Sequence, residues 1–405
     1  MGLSLGIPGL DEVLGVLDPG SLLVIQGPSG SGKTVMALQH VHHVASRGGK
    51  ALFISFLEDS KRLLEYAGRL SLNLEPLMRK DLIQIVSIPV SASEDYLDTL
   101  ASMLSEKLED NEVQTVVFDG ISAFIPGLSH AKLIEYLRNI VYSVLHGSRA
   151  LGLITVESSI AGGFPWIGIV ADILIELRYE IGLTATYPRM FMRILKTRGM
   201  VPESHVLEFT IGRGGIRAYP LKPMKPDILD PRQVYETGAR PIDRMLGGLV
   251  EGSLALIMGP SGSGKTSILR AIHRGVGDSC YVSLKGIVDS VPRNRCVETL
   301  AMWNTTPLQA AYTIAGLAGR ISTILVDNME LVYTDYGSDA FHAFIKALYG
   351  LRGHTSLVAS LNTDVVPPSL TGLAEIYFDY VFRAEYVEQA GVTVRPVKIL
   401  GGEEA

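Results

Sequence analysis

Cysteine is almost missing from this 405-residue chain: Cys280 and Cys296 are its only two. That is too few for the disulfide framework of a small secreted domain. Both read as small buried hydrophobes, and a reducing, cytoplasmic setting fits them best. An excess of positive charge is missing as well. A net charge of −6 and a pI near 5.9 leave no electrostatic footprint for duplex nucleic acid or an anionic membrane, though a local basic groove stays open. No apolar run approaches the roughly 20 residues that cross a bilayer. The opening stretch MGLSLGIPGLDEVLG lacks a basic n-region and already holds Asp11 and Glu12, so no secretory signal is expected.

What is present is a globular, rather hydrophobic composition, 47% apolar and 19% charged, with little room for disorder. A parallel sheet buried on both faces would produce that bias. The length suits two domains of ordinary size, and the sequence repeats itself at that scale. SLLVIQGPSGSGKT at 21–34 returns as SLALIMGPSGSGKT at 253–266, with GIPGLDEVLGVLDPG ahead of the first and TGARPIDRMLGGLVEG ahead of the second. The repeat unit is therefore a whole domain. Between the copies, PLKPMKPDILDPRQ holds four prolines, the composition of an interdomain linker. The expected division is 1–222 for the first domain, 223–233 for the linker and 234–405 for the second.

In the first copy, strand-like runs stand at 22–26, 51–56, 82–88, 115–119, 151–156 and 173–177, with helical stretches between most of them. This alternation predicts an α/β fold with a mostly parallel sheet flanked by helices. The second copy is abbreviated. Lys33 to Asp119 spans 86 residues and Lys265 to Asp327 spans 62, and the missing 24 are expected to take the helix matching Ser60 to Leu70 and the segment after it.

The pattern G-x-x-x-x-G-K-[ST] is met twice, each time after an apolar strand and before a helix. The first copy is Gly27, Pro28, Ser29, Gly30, Ser31, Gly32, Lys33 and Thr34; the second is Gly259, Pro260, Ser261, Gly262, Ser263, Gly264, Lys265 and Thr266. Glycines let successive backbone N–H groups converge on a β-phosphate, and the following helix adds its positive end. Lys33 and Lys265 would hold the β- and γ-phosphates of ATP, and Thr34 and Thr266 would offer a hydroxyl to Mg²⁺. A Mg²⁺ ion also needs a carboxylate at the end of a neighbouring strand. TVVFD ends at Asp119 and TILVD at Asp327, and both are assigned to the metal's shell rather than to helix caps.

On these marks the chain resembles the KaiC family of the RecA superfamily over nearly its whole length. The preambles, the P-loops, the triplet after the second strand and the tail RMFMRILKTRGMVPESHVLEFTIGRGGIRAYP (189–220) carry the likeness. The resemblance implies two tandem RecA-like domains, a homohexameric ring with ATP at subunit interfaces, and a Lys-x-Arg pair, here Lys196 and Arg198, reaching a neighbour's phosphates. ATP over GTP also rests on it. In the family the triplet ends in two glutamates, the first activating the attacking water. Here the first is replaced by Leu57 and only Glu58 remains, on a position that faces the other way in a regular strand. The first domain is therefore expected to bind ATP firmly and hydrolyse it slowly, with Lys33, Glu58, Asp119, Lys196 and Arg198 as its catalytic set. The second domain has Leu284-Lys285-Gly286 in the triplet and Leu400 two residues after Lys398, so it is expected to hold nucleotide with little or no hydrolysis. Self-phosphorylation, a property of the family's clock member, is not carried over, because Glu375 and Ile376 stand where that protein has hydroxyl acceptors.

Weaker signals remain. His40 and His43 are spaced for a metal, but no acidic or cysteine partner lies nearby in sequence. In ESSIAGGFPWIGIVAD (157–172), Phe164 and Trp166 could stack on bases, yet the segment has no Lys or Arg, so an interface or channel loop is preferred. Three functions stay in play: a slow ring ATPase that switches an unidentified protein partner, a nucleotide-dependent scaffold, and a recombinase-like protein on single-stranded DNA, favoured in that order.

Overall fold

The computed structural model describes residues 2–88, 102–108, 112–122, 143–158, 167–180, 189–202, 204–220, 224–288, 296–387 and 391–400. They fall into two compact units, one ending at Pro220 and one running on from residue 224. In the first unit the strands are β1 (Leu22–Gly27), β2 (Lys50–Ser55), β3 (Ile83–Ser87), β4 (Val113–Asp119), β5 (Leu151–Glu157), β6 (Ile173–Glu180), β7 (Arg189–Thr197), β8 (Val206–Gly212) and β9 (Gly215–Tyr219). They form one sheet in the order β3-β2-β4-β5-β1-β6-β7-β8-β9. The six strands expected from the sequence are the six that pair in parallel, and β7 to β9 extend the sheet antiparallel from β6.

Helices cover this sheet because its strands are apolar on both faces. Along β1, Leu23 and Ile25 pack with α2 (Lys33–Ser46) through Met36, Leu38 and Val41, while Leu22 and Val24 join the opposite cluster with Ile54, Phe118 and Ile154. Further helices are α1 (Leu10–Leu14), α3 (Ser60–Arg69), α4 (Glu75–Arg79), α5 (Ser143–Ser148) and α6 (Ile167–Val170), and residues 102–108 are helical as well. Asp59 starts α3 by accepting a hydrogen bond from the Arg62 N–H.

The second unit repeats the plan. After a two-stranded ribbon, β10 (Val234–Tyr235) with β11 (Leu249–Val250), its sheet contains β12 (Leu254–Gly259), β13 (Ser279–Ser283), β14 (Cys296–Thr299), β15 (Thr323–Asp327), β16 (Ser356–Asn362), β17 (Tyr380–Val387) and β18 (Gly391–Lys398). The order β14-β13-β15-β16-β12-β17-β18 matches the first seven strands of the larger sheet one for one. Its helices are α7 (Arg240–Leu246), α8 (Lys265–Gly275), α9 (Pro307–Leu317), α10 (Glu330–Tyr349) and α11 (Pro368–Tyr377). Among the described residues, no helix separates β13 from β14, whereas α3 and α4 separate β2 from β3. The abbreviation falls between these two strands and spares the second of them.

The matching preambles do matching work. Asp11 accepts from the N–H groups of Leu5 and Gly6, and Asp243 accepts from those of Thr237 and Gly238, so each aspartate ties the loop ahead of it to its own helix. Part of the proline-rich segment lies along the second unit: Asp227 and Arg352 exchange two hydrogen bonds, and the His354 ring contacts the Lys225 carbonyl.

The cysteines require a correction. Cys280 and Cys296 sit directly opposite each other on the parallel strands β13 and β14, and a disulfide joins them. Neighbours in register on adjacent strands present their side chains to the same face, a relation that the sequence separation conceals. They are not two unpaired hydrophobes, and their number no longer argues for a reducing compartment. No helix among the described residues is long and apolar enough to cross a membrane.

Candidate functional site

In the first unit the P-loop leaves the C-terminal end of β1 and turns into α2. Gly30 (φ 78°) and Gly32 (φ 96°) take left-handed conformations that fold the loop around the helix N-terminus. At Gly27 a Cβ would stand 2.6 Å from the Leu177 carbonyl oxygen, so the cradle also depends on the missing side chain. Lys33 bends back over the loop, and its Nζ donates to the carbonyls of Gly27 and Pro28, each at 2.8 Å. The same ammonium pairs with Glu157 at 3.1 Å. Glu157 stands there because β5 runs parallel to β1 with Gly27 and Glu157 in register.

Thr34 Oγ1 donates to the two Asp119 oxygens at 3.1 and 3.0 Å, and Thr155 Oγ1 donates to the same carboxylate at 2.7 Å. Burial pushes the Asp119 carboxyl above its ordinary range, against the pull of Thr155, Thr34 and the Lys33 charge. A hydroxyl and a carboxylate side by side are the hard oxygen donors that Mg²⁺ prefers, so the residues present fit a magnesium nucleotide. Beyond β2 the chain bends. The Glu58 N–H donates to Ser55 Oγ, Leu57 is exposed and lies over Gly120, and Glu58 is ion-paired with Arg62 at 3.3 Å. The Glu58 charge is nonetheless felt at Asp119, where it raises the pKa.

The second P-loop has the same backbone, with Gly262 at φ 77° and Gly264 at φ 91°. Lys265 Nζ donates to the Gly259 and Pro260 carbonyls at 2.9 and 2.7 Å. Burial lowers its pKa, opposed by the charges of Glu330, Asp327 and Asp364. In register with Gly259 stands the neutral Asn362. Asp327 accepts from Thr266 at 3.3 and 3.1 Å, from Ser360 at 2.5 Å and from Tyr281 at 2.5 Å. Lys285 is exposed, and Gly286 adopts a positive φ of 76°.

Lys196 and Arg198 lie at the other end of the first sheet. Lys196 pairs with Leu174 where β6 begins, level with Val24, whereas the P-loop leaves β1 at Gly27, about 10 Å further along the strands at roughly 3.3 Å per residue. Lys196 Nζ donates to the Gly168 carbonyl and Arg198 Nη1 to Asp172, both at 2.7 Å. Asp172 in turn accepts from the Leu22 N–H, as Asp379 does from Leu254. Lys398 Nζ caps carbonyls at the end of α11, including that of Phe378 at 2.7 Å. His40 is fully buried between the Leu5 carbonyl and Thr115 Oγ1, with its pKa lowered to about 4 by burial, which is the setting of a neutral structural histidine. Among the described residues no group of three His, Cys, Asp or Glu could hold a metal. Phe164 and Trp166 lie outside the described residues.

A family model described as the KaiC ATPase matches residues 3–223, more than half of the 405. The chain belongs to the KaiC family of ATPases. Among its relatives, the circadian clock oscillator protein KaiC of Prochlorococcus marinus subsp. pastoris (strain CCMP1986 / NIES-2087 / MED4) is 26% identical over 280 residues, 65% of this chain and 54% of that protein. The protein of the same name from Parasynechococcus marenigrum (strain WH8102) is 25% identical over 359 residues, 83% of this chain and 68% of its own length. The chain spans about half the length of the first of these relatives. As a KaiC-family member it is an ATP-binding protein of the RecA type.

Sequence reasoning misses the side chains that face the P-loop lysines from neighbouring strands. In the sequence Glu157 reads only as the start of a loop, and Glu330, Asp364 and Tyr281 belong to no motif. One available signal is position: TVE and SLN close the same parallel strand in the two copies, and the side chain at the end of such a strand points at the P-loop.

Proposed function

We propose that the protein is a slow, ring-forming ATPase in which the first unit hydrolyses ATP and the second holds nucleotide as a structural or regulatory ligand. Its main support is the grouping of Lys33, Thr34 and Asp119 around a P-loop whose neighbour, at the position of the family's water-activating glutamate, is Leu57. Lys33 binds the β- and γ-phosphates and holds the transferred group in line, and Thr34 with Asp119 supplies oxygen donors for Mg²⁺. When bound, the ion neutralises charge that builds on the phosphate oxygens. Glu58 is the remaining carboxylate of the triplet, and it is held by Arg62 at 3.3 Å. Turnover below about 1 per second is expected, against a typical enzyme value of about 10.

Lys196 and Arg198 are too far from their own P-loop to serve it, which supports a role at the phosphates of an adjoining subunit in a hexamer. A readout through an unidentified protein partner belongs to the same proposal, as does a cytoplasmic setting. The exposed Leu57 also favours a second reading, a scaffold in which ATP holds the ring together with negligible turnover. Measuring assembly mass and phosphate release together, with and without Mg²⁺-ATP, separates the two. Slow Mg²⁺-dependent release with a nucleotide-dependent ring supports the switch. A ring without release supports the scaffold, and absence of nucleotide affinity at both loops sinks each of them.

A further inference from the structure

The second P-loop is in contact with a carboxylate of its own chain. Asp364, two residues beyond β16, accepts a hydrogen bond from the Ser261 N–H at 2.7 Å, at the exposed crest of the loop. Its own N–H donates to Asn362 Oδ1 at 3.0 Å, a local turn that fixes where the carboxylate points. A second acid stands at the same strand end, and its charge also acts on Lys265. Glu330 is nearly buried, accepting from the Asn362 N–H at 3.2 Å and from Asn328 Nδ2 at 3.4 Å. In the first unit the corresponding N–H, that of Glu157, is capped by the uncharged Ser122. By sequence position Asp364 corresponds to Ser159, also uncharged.

These charges bear on one part of a nucleotide. Amides near the helix N-terminus serve the β-phosphate, while a γ-phosphate lies farther out, toward the loop lysine and the ends of the neighbouring strands. A diphosphate leaves that outer space to Asp364. A triphosphate must put more negative charge beside Asp364 and Glu330, and must displace Asp364 from the Ser261 amide.

We propose that the second unit is a diphosphate-selective site, taking a magnesium nucleoside diphosphate in preference to the triphosphate, with Asp364 as the residue that sets the preference. The inference rests on the proposal that this P-loop holds nucleotide. It gives the regulatory ligand a chemical identity: the second unit responds to the product that the first unit releases.

The test uses the full chain carrying Lys33→Ala, which silences the first loop, titrated calorimetrically with Mg²⁺-ADP and with Mg²⁺ plus a non-hydrolysable ATP analogue. ADP is expected to bind at least about tenfold more tightly than the analogue. Adding Asp364→Asn, which keeps the shape and removes the charge, is expected to bring the analogue within about threefold of ADP and leave ADP affinity unchanged. Equal or tighter binding of the analogue before that change overturns the proposal. So does an Asp364→Asn effect of the same size on both ligands, because that would be a structural effect and not a charge-selective one. Binding of neither ligand contradicts the underlying assignment of a nucleotide to the second unit and is distinguishable from both.

Discussion

The two P-loops are identical over eight residues, and each brings its lysine, its threonine and a strand-end aspartate together; the difference lies in the acids and hydroxyls around them. In the first unit Glu157 pairs with Lys33, and Ser122 accepts from the backbone beneath it. In the second, the acid has moved to Glu330 and the strand end is the neutral Asn362. Asp119 accepts from Thr34 and Thr155, while Asp327 accepts from their counterparts and also from Tyr281, which stands where the first unit has Phe53. At the far sheet edge Asp172 is paired with Arg198, but Asp379 is paired with Arg352. The arginine is largely exposed in the first pair and mostly buried in the second. The shared octapeptide thus specifies one backbone cradle, and the side chains that neighbouring strands bring to it differ; on the proposed function they decide what each cradle is used for.

Five substitutions would break or sharpen that contrast. The largest expected effect is on the aspartates: Asp119→Asn should reduce ATP turnover about a hundredfold or more, and Asp327→Asn should leave it within about twofold, by steady-state phosphate release. A comparable effect, on stability, concerns His40, whose second-unit counterpart is Ile272. Its folded pKa of about 4 lies below the ordinary 6.5, so its contribution is fully present above pH 6.5 and is lost as pH falls toward 4. The loss should amount to about 3 kcal/mol for the first unit, and denaturant unfolding of a His40→Gln variant should show a flatter pH dependence over that window. Next, Leu57→Glu restores a carboxylate over Gly120 and should raise turnover about tenfold; no gain would mean that Glu58 already does the work. The smallest effect belongs to Tyr281→Phe, which removes one of the two donors to an Asp327 oxygen, leaving Thr266, and should tighten Mg²⁺-dependent nucleotide binding in the second unit by about threefold.

Much of this plan can be read from residues alone. The six parallel strands and both P-loops announce themselves locally, through apolar runs of strand length and glycines at fixed spacing. The abbreviation of the second copy is legible in the shorter distance between Lys265 and Asp327. The features that stay hidden depend on register between strands distant in sequence. Nothing near Glu157 says that it faces Lys33, and nothing near Asp364 says that it reaches Ser261, because both contacts exist only once β5 and β16 lie beside β1 and β12. The disulfide is hidden for the same reason, since Cys280 and Cys296 meet only through the pairing of β13 with β14.

The claim that identical cradles have unequal fates is tested most directly by the two lysines. Phosphate release should be measured side by side, at saturating Mg²⁺-ATP, for Lys33→Ala and Lys265→Ala in the full chain. Turnover should collapse about a hundredfold in the first and stay above about half in the second. Turnover that survives Lys33→Ala and disappears with Lys265→Ala would assign the chemistry to the other unit and contradict the account.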